Sequence, residues 1–191
     1  MREDVLDYLV ESMSIRDGNR FMLNEKIDDV FDETMRKLDI PTYRCSAESI
    51  GYNDWSRFQI SDILKELLEK TNGDIKKAQK AVVIIEDFEK LSMDERFMTQ
   101  LVSEGTNIDL DSEKYRRCMV QSLLIPFLQG EFPFEYQGNN DIFDTKSLTI
   151  IMTGDFKDLD ERSILNGYDG ALWHRLCPIF REVEIEKENN K

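Results

Sequence analysis

Two adjacent carboxylates and one hydroxyl occupy positions from which they could do chemistry. Glu86 and Asp87 directly follow the apolar run at 81–85, and Thr153 directly follows the apolar run at 148–152. Both runs are rich in β-branched residues and predict strands buried on both faces of a parallel sheet. Carboxylate oxygens at the end of such a strand suit a hydrated magnesium ion. The alternative is that two acids and a threonine simply end two strands.

Other candidates for catalysis or metal binding are few. His174 is the single histidine, and no cysteine or serine motif accompanies it. Cys45, Cys118 and Cys177 are far apart and include no Cys-x-x-Cys pair. Neither a zinc site nor disulfides are therefore expected, and the cysteines favour a reducing cytoplasm.

Composition and charge exclude several classes of partner. The net charge of −14 at pH 7 argues against both nucleic acid and an anionic membrane surface. Hydrophobic residues make up 40% and charged residues 34%, which is typical of a soluble globular domain. The N-terminus is acidic and amphipathic, unlike a signal peptide, and no apolar run approaches the roughly 20 residues that span a bilayer.

The elements that must position these residues follow from hydrophobic periodicity and turn signals. Helical spacing predicts helices at 3–13, 25–38, 56–70, 75–80 and 113–128. Extended segments are predicted at 42–45, 81–85, 148–152 and 179–185. Alternating helices and buried strands predict an α/β layered domain.

The segment 131–145 reads as a loop because it contains Pro133, Gly138 and an Asn-Asn pair. It also holds an aromatic cluster among acids, which comprises Phe132, Phe134, Tyr136 and Phe143. These rings either bind a partner or fold back onto the core. Folding back is the expectation, because large exposed apolar patches are rare.

Five stretches, in order along the chain, resemble the ClpX-type AAA+ unfoldases. The most specific is 73–91, GDIKKAQKAVVIIEDFEKL, which is similar to the family's helix that runs into its Walker B strand. The stretch 38–41 resembles the end of the helix after the phosphate loop, and 47–52 resembles the pore loop. The stretch 145–154 is similar to the sensor-1 strand, and 174–178 lies where the family has its arginine finger. The resemblance implies an AAA+-like layered αβα domain with a parallel central sheet.

The resemblance also implies roles for single residues. Glu86 would hold magnesium if nucleotide binds, and Asp87 would polarise the attacking water. The family's order is Asp then Glu, and the reversal here retracts the base by about 1.5 Å, a displacement that costs about 100-fold in a positioned reaction. Thr153 corresponds to sensor 1 and Arg175 to the arginine finger. The ordinary alternatives are a threonine that ends a strand and a surface arginine.

Gly51 and Tyr52 stand where the family carries the Gly-Tyr loop that grips a translocating polypeptide. The residues at 53–55, Asn-Asp-Trp, depart from the family's pattern. An ordinary half-buried tyrosine is the alternative.

The phosphate-binding loop that the family needs is missing. Its sequence is Gly-x-x-x-x-Gly-Lys-Ser/Thr, because backbone N–H groups must approach phosphate closely. The corresponding residues are 21–28, FMLNEKID, which contain no glycine, and Glu25 and Asp28 flank Lys26. Because 14–20 is polar, the strand before the loop is expected to be absent as well. The small helical lid domain that follows in the family is also expected to be absent.

These observations predict an N-terminal helix and turn at 1–24, a degenerate ClpX-like AAA+ domain at 25–185 and a polar tail at 186–191. The expected function is a non-hydrolysing, cytoplasmic module that binds a protein partner, such as a Clp-type unfoldase, or a polypeptide client, without a cofactor. The alternatives are a divergent ATPase that uses ATP and magnesium in protein unfolding and degradation, and a remnant without a role.

Overall fold

A computed structural model describes residues 1–52, 58–92 and 113–156, together with 172, 175 and 176. The strands within these residues are β1 (Arg20–Leu23), β2 (Thr42–Ser46), β3 (Val82–Glu86), β4 (Glu131–Tyr136), β5 (Asn139–Asp144) and β6 (Thr149–Thr153). Four of them form a parallel sheet in the order β1–β6–β3–β2. The other two, β4 and β5, form an antiparallel hairpin.

The two central strands are the ones that the apolar runs predict. Val82, Val83, Ile84 and Ile85 of β3 are all fully buried, and every residue of β6 is buried. Each observed strand lies one residue further along the chain than its predicted range. A parallel sheet covered on both faces explains why these strands read as continuous apolar runs.

Helices cover both faces of the sheet. Their bounds are α1 (Glu3–Ile15), α2 (Asp29–Lys37), α3 (Ile60–Lys70), α4 (Ile75–Gln79) and α5 (Glu113–Gln129), with short 3-10 helices at Ala47–Ser49 and Phe88–Leu91. Val82 and Ile84 share one core with buried residues of α1 and α2, whereas Val83 and Ile85 share a second core with α3 and α5. The predicted α/β layered architecture is therefore confirmed.

The predicted absence of a strand beside the glycine-free segment is wrong, because a strand overlaps the first residues of 21–28. Arg20–Leu23 forms β1, which pairs in parallel with β6. The strand is only four residues long and follows a polar segment, and its one polar side chain is satisfied: the Arg20 guanidinium donates to the carbonyl of Thr145 at 3.0 Å and to that of Leu148. The Asn19 amide donates to the carbonyl of Arg16 at 2.8 Å. Residues 20–23, placed by the sequence in an N-terminal helix and turn, thus belong to the main sheet.

The prediction of a loop over 131–145 is also wrong, because this segment contains the β4–β5 hairpin. Gln137 and Gly138 both adopt positive φ, at 52° and 77°, as a tight two-residue hairpin turn requires. The aromatic rings fold back onto the core as expected: Phe132, Phe134 and Phe143 are buried. The side chains of β4 alternate between exposed and buried, and the matching alternation of aromatic and non-aromatic residues at 131–136 was the sequence signal for a strand.

Two boundaries carry further information. Helix α2 begins at Asp29 rather than at residue 25, which leaves 24–28 as a five-residue connection from β1. Helix α5 continues through Pro126 to Gln129.

The predicted strand at 179–185 and the single histidine, His174, lie outside the described residues. No helix within the described part of the chain is long and apolar enough to cross a membrane.

Candidate functional site

A cleft opens at the edge of the main sheet where the parallel strands end. Its volume is about 320 Å³, and its walls come from the ends of β1, β3 and β6 and the residues that follow them. The lining residues are Asn24, Glu25, Lys26, Glu86, Asp87, Glu89, Thr153, Gly154 and Asp155. Ligands of open α/β sheets bind at this edge, beyond the carboxyl ends of the strands. The sheet therefore brings the two predicted acids and the predicted threonine to one place.

The connection between β1 and α2 has no room for a phosphate loop. It is five residues long, and Asp28 caps α2 by accepting a hydrogen bond from the backbone N–H of Phe31 at 3.3 Å. The N-terminus of a helix is the position at which phosphate binds through backbone N–H groups and the helix dipole. Here a carboxylate of the chain itself stands at that position, and it also pairs with the Met1 ammonium at 2.8 Å, so the helix end is already occupied from within the chain.

The other end of this connection is held to the strand beside it. Asn24 Oδ1 accepts a hydrogen bond from the backbone N–H of Phe156 at 2.9 Å, and the backbone N–H of Gly154 donates to the carbonyl of Leu23 at 3.1 Å. Glu25 forms an ion pair with Arg2 at 2.6 Å. These contacts fix the wall of the cleft that a phosphate loop would otherwise form.

Glu86 is engaged by an arginine of the neighbouring strand. Arg44, in the middle of β2, donates to Glu86 Oε1 at 3.0 Å, to Asp32 Oδ2 at 2.8 Å and to the carbonyl of Ile27 at 2.8 Å. All three charged side chains are about one-third exposed, at 29% for Arg44, 30% for Glu86 and 34% for Asp32. The network joins the middle of β2 and the end of β3 to α2, so the Glu86 carboxylate has a structural partner within the chain.

Asp87 adopts a left-handed backbone conformation, with φ of 55° and ψ of 39°, and turns the chain from β3 into the 3-10 helix Phe88–Leu91. Aspartate tolerates this region better than most side chains, yet it is sparsely populated without glycine. Lys90 lies 3.5 Å from the Asp87 carboxylate and 2.9 Å from that of Glu48. The hydrogen bond to Glu48 and the charge of Asp87 raise the pKa of Lys90.

Glu89 is the functional candidate that sequence reasoning missed. Its Oε2 atom is buried and has no hydrogen-bond partner among the described residues. The carboxylate packs against Gly154, where a methyl group added to the backbone would overlap Oε2. Thr153, next to that glycine, is 2% exposed and lines the same cleft. The only sequence signal was a third acid two residues after Asp87, which is common in an acidic chain.

Gly51 and Tyr52 do not line the cleft. The backbone N–H of buried Gly51 donates to the carbonyl of Phe58 at 2.8 Å. The Tyr52 ring contacts the Tyr115 ring edge to face, with centroids 5.4 Å apart, and packs against the core. Gripping of a polypeptide by Tyr52 stays a prediction, and this packing is the arrangement that its ordinary alternative describes.

Arg175 is half-buried and is also not among the residues that line the cleft. No group of three or more His, Cys, Asp or Glu side chains in the described part of the chain is placed to hold a metal ion. The acids of the cleft therefore do not form a metal centre by themselves.

Comparison with known proteins does not assign this chain to a family. No family model matches this chain, and no curated protein matches it. The AAA+ resemblance thus depends on the sequence motifs alone.

Proposed function

We propose that this chain is an AAA+-like module of the ClpX type that binds a protein partner and does not hydrolyse nucleotide. The arrangement of the cleft supports the ancestry. In the resembled family the phosphate loop, the Walker B acids and sensor 1 must all meet one nucleotide. The corresponding residues, namely those at 24–26, Glu86 with Asp87, and Thr153, surround a single cleft although they are far apart in sequence.

The proposed loss of hydrolysis is based on one observation. The carboxylate of Asp28 caps α2 after a glycine-free connection. Triphosphate binding depends on backbone N–H groups that approach the phosphate oxygens closely and on a positive helix end. Both are removed here, because the connection is short and the helix end is already capped by an anion. Arg44 adds to this effect, since it occupies the carboxylate of Glu86 that would hold magnesium.

Titration with a fluorescent ATP analogue in the presence of magnesium tests the loss of nucleotide binding. We expect no saturable signal at millimolar nucleotide and no phosphate release above the rate in buffer. Asp28→Ser keeps the helix cap but removes the charge. It also frees the Met1 ammonium, which pairs with Asp28 at 2.8 Å, so it should leave the fold intact while making this helix end more favourable for phosphate.

The divergent ATPase is the second candidate, because Glu86, Asp87 and Thr153 do share one cleft. It predicts magnesium-dependent ATP binding with turnover that scales with protein concentration. It also predicts that Glu86→Ala and Asp87→Ala abolish the turnover. That set of results would replace the proposed function by the enzymatic one.

The binding role is tested separately by mass measurement in solution. Light scattering on the purified chain at several concentrations distinguishes a monomer from a ring-forming subunit. Mixing the chain with a ClpX-type unfoldase then tests association with a true unfoldase. We expect a complex of defined mass with such an unfoldase, and a mixture that elutes as two separate proteins would remove this partner.

A further inference from the structure

The β4–β5 hairpin has two outer edges that pair with no other strand of the described chain. One face of the hairpin packs on the core, where β4 contacts α3 and α5 and the ring of Phe143 is buried. Ile142, on β5, is 65% exposed. An exposed strand edge that carries an apolar side chain is a template for pairing with another chain. The backbone groups along both edges therefore decide whether this hairpin can accept a further strand.

The hydrogen bonds within the hairpin fix which backbone groups face outward. The backbone N–H of Thr145 donates to the carbonyl of Gly130 at 3.0 Å, so the pair at the base of the hairpin is hydrogen-bonded. Hydrogen-bonded and non-hydrogen-bonded pairs alternate along antiparallel strands. Pro133 and Ile142 lie opposite each other, an odd number of steps from that base pair. They form a non-hydrogen-bonded pair, and their backbone groups point to the two outer edges.

This outward-facing pair offers no free backbone donor. Pro133 has no backbone N–H, because its nitrogen is part of the ring. The backbone N–H of Ile142 donates to Oδ1 of Asp141 in the same strand, at 2.7 Å. A strand added at either edge would find no available donor at the middle of the hairpin. Pro133 and Asp141 are both exposed, so neither is required to fill the core.

We propose that Pro133 and Asp141 block strand addition at the two edges of this hairpin, and that the strand they exclude is the same hairpin of a second copy of the chain. Two identical edges can pair antiparallel about a twofold axis, which makes a second copy a self-complementary occupant. Exposed Ile142 lies on an edge that would pair. The proposal goes beyond the proposed function, because it concerns self-association and involves neither nucleotide nor a different protein.

Amide hydrogen exchange of Ile142, followed by NMR on dilute protein, tests the block on β5. Asp141→Ala removes the acceptor and should speed exchange of this amide by about three- to tenfold, the effect of losing one ordinary hydrogen bond. Asp141→Asn removes the charge but keeps an acceptor oxygen, so its Ile142 amide should exchange more slowly than that of Asp141→Ala. Equal rates in the two variants would show that the hydrogen bond does not protect this amide, and would overturn the block on β5.

Sedimentation of the double variant Pro133→Thr/Asp141→Ala tests the consequence for self-association. Threonine restores a backbone N–H and favours a strand. Sodium chloride at about 0.5 M screens the repulsion between the acids that remain on the two hairpins. We expect the mass of the variant to rise with concentration to about twice that of the wild-type chain or more, because each copy then presents open edges. The amides along these edges should become protected from exchange as the mass rises.

The matched control is Glu135→Thr, which places the same residue at the next outward-facing position of β4 and leaves both blocks intact. It should sediment as the wild-type chain does. Pro133→Thr and Asp141→Ala alone each open one edge and should associate more weakly than the double variant. They provide the test if circular dichroism shows that the double variant does not fold.

The proposal is overturned if the folded variants have the mass of the wild-type chain at every concentration, or if Glu135→Thr associates as strongly as the double variant. It is also overturned if the newly protected amides lie outside the hairpin. A nucleotide titration or an unfoldase mixture that fails the proposed function leaves these outcomes unaffected, because the chain is measured alone.

Discussion

Replacement of Arg44 by methionine tests whether the ion pair of Glu86 stabilises the fold. The substitution removes the guanidinium that joins Glu86 and Asp32, while methionine keeps much of the apolar stem. Two carboxylates and the carbonyl of Ile27 would lose their donor. We expect the variant to fold and to be less stable.

The size of the expected loss in stability follows from the burial of the three side chains. Exposed ion pairs contribute about 0–1 kcal/mol, whereas removing one partner of a fully buried pair costs about 3–5 kcal/mol. Arg44, Asp32 and Glu86 are 29%, 34% and 30% exposed, so the network lies between these limits. We expect a loss of about 2 kcal/mol in the free energy of unfolding. For a chain of this length the melting temperature should fall by about 4–8 °C.

Urea denaturation followed by circular dichroism measures this loss. The control is Lys37→Met, which breaks the pair between Lys37 and Glu33, whose side chains are 72% and 57% exposed. That control should cost under about 0.5 kcal/mol. In the double variant Arg44→Met/Glu86→Gln, the two effects should be non-additive by about 1 kcal/mol. Equal losses of unfolding free energy for Arg44→Met and Lys37→Met would refute the reasoning. They would mean that the Glu86 carboxylate is available to bind a ligand.

Two further predictions concern ionisation. Hydrogen bonds from Arg116 and Arg117 lower the pKa of Glu113 to about 2 from the value of 4.5 in an unfolded chain. Its contribution to stability is therefore present above about pH 4.5 and is lost as the pH falls toward 2, so Glu113→Gln should flatten acid unfolding curves in that window. Burial raises the pKa of the Cys45 thiol to about 12, whereas Cys118 is only half-buried. Mass spectrometry after brief alkylation at pH 8 should find Cys118 modified and Cys45 intact, and equal labelling would contradict the burial of β2.

Some features of the fold were accessible from local sequence alone. The runs at 81–85 and 148–152 predicted the two central strands, because a strand buried on both faces needs apolar residues at every position. The helical periodicity at 3–13 and 113–128 likewise predicted α1 and α5 to within two residues at their N-terminal ends. Where polar residues or turn signals interrupted the pattern, as in β1 and the β4–β5 hairpin, the prediction failed.

Those two failures have different physical causes. The Arg20 guanidinium is satisfied by carbonyls more than 120 residues further along the chain, so no local window reveals that the strand can be buried. The hairpin was misread because Pro133 and Gly138 are usual loop signals. Pro133 nevertheless lies at an exposed strand position, and Gly138 supplies the positive φ of a tight turn.

The sequence by itself determined that Glu86, Asp87 and Thr153 lie at the ends of buried strands and that 21–28 contains no glycine, because these are properties of neighbouring residues. Only the tertiary structure decided what each carboxylate does. Glu86 meets Arg44 from 42 positions away, Asp28 pairs with the Met1 ammonium, and one oxygen of half-buried Glu89 is buried against Gly154 without a hydrogen-bond partner among the described residues. The chemistry of a carboxylate depends on the charges and donors that packing places around it, and those come from distant parts of the chain.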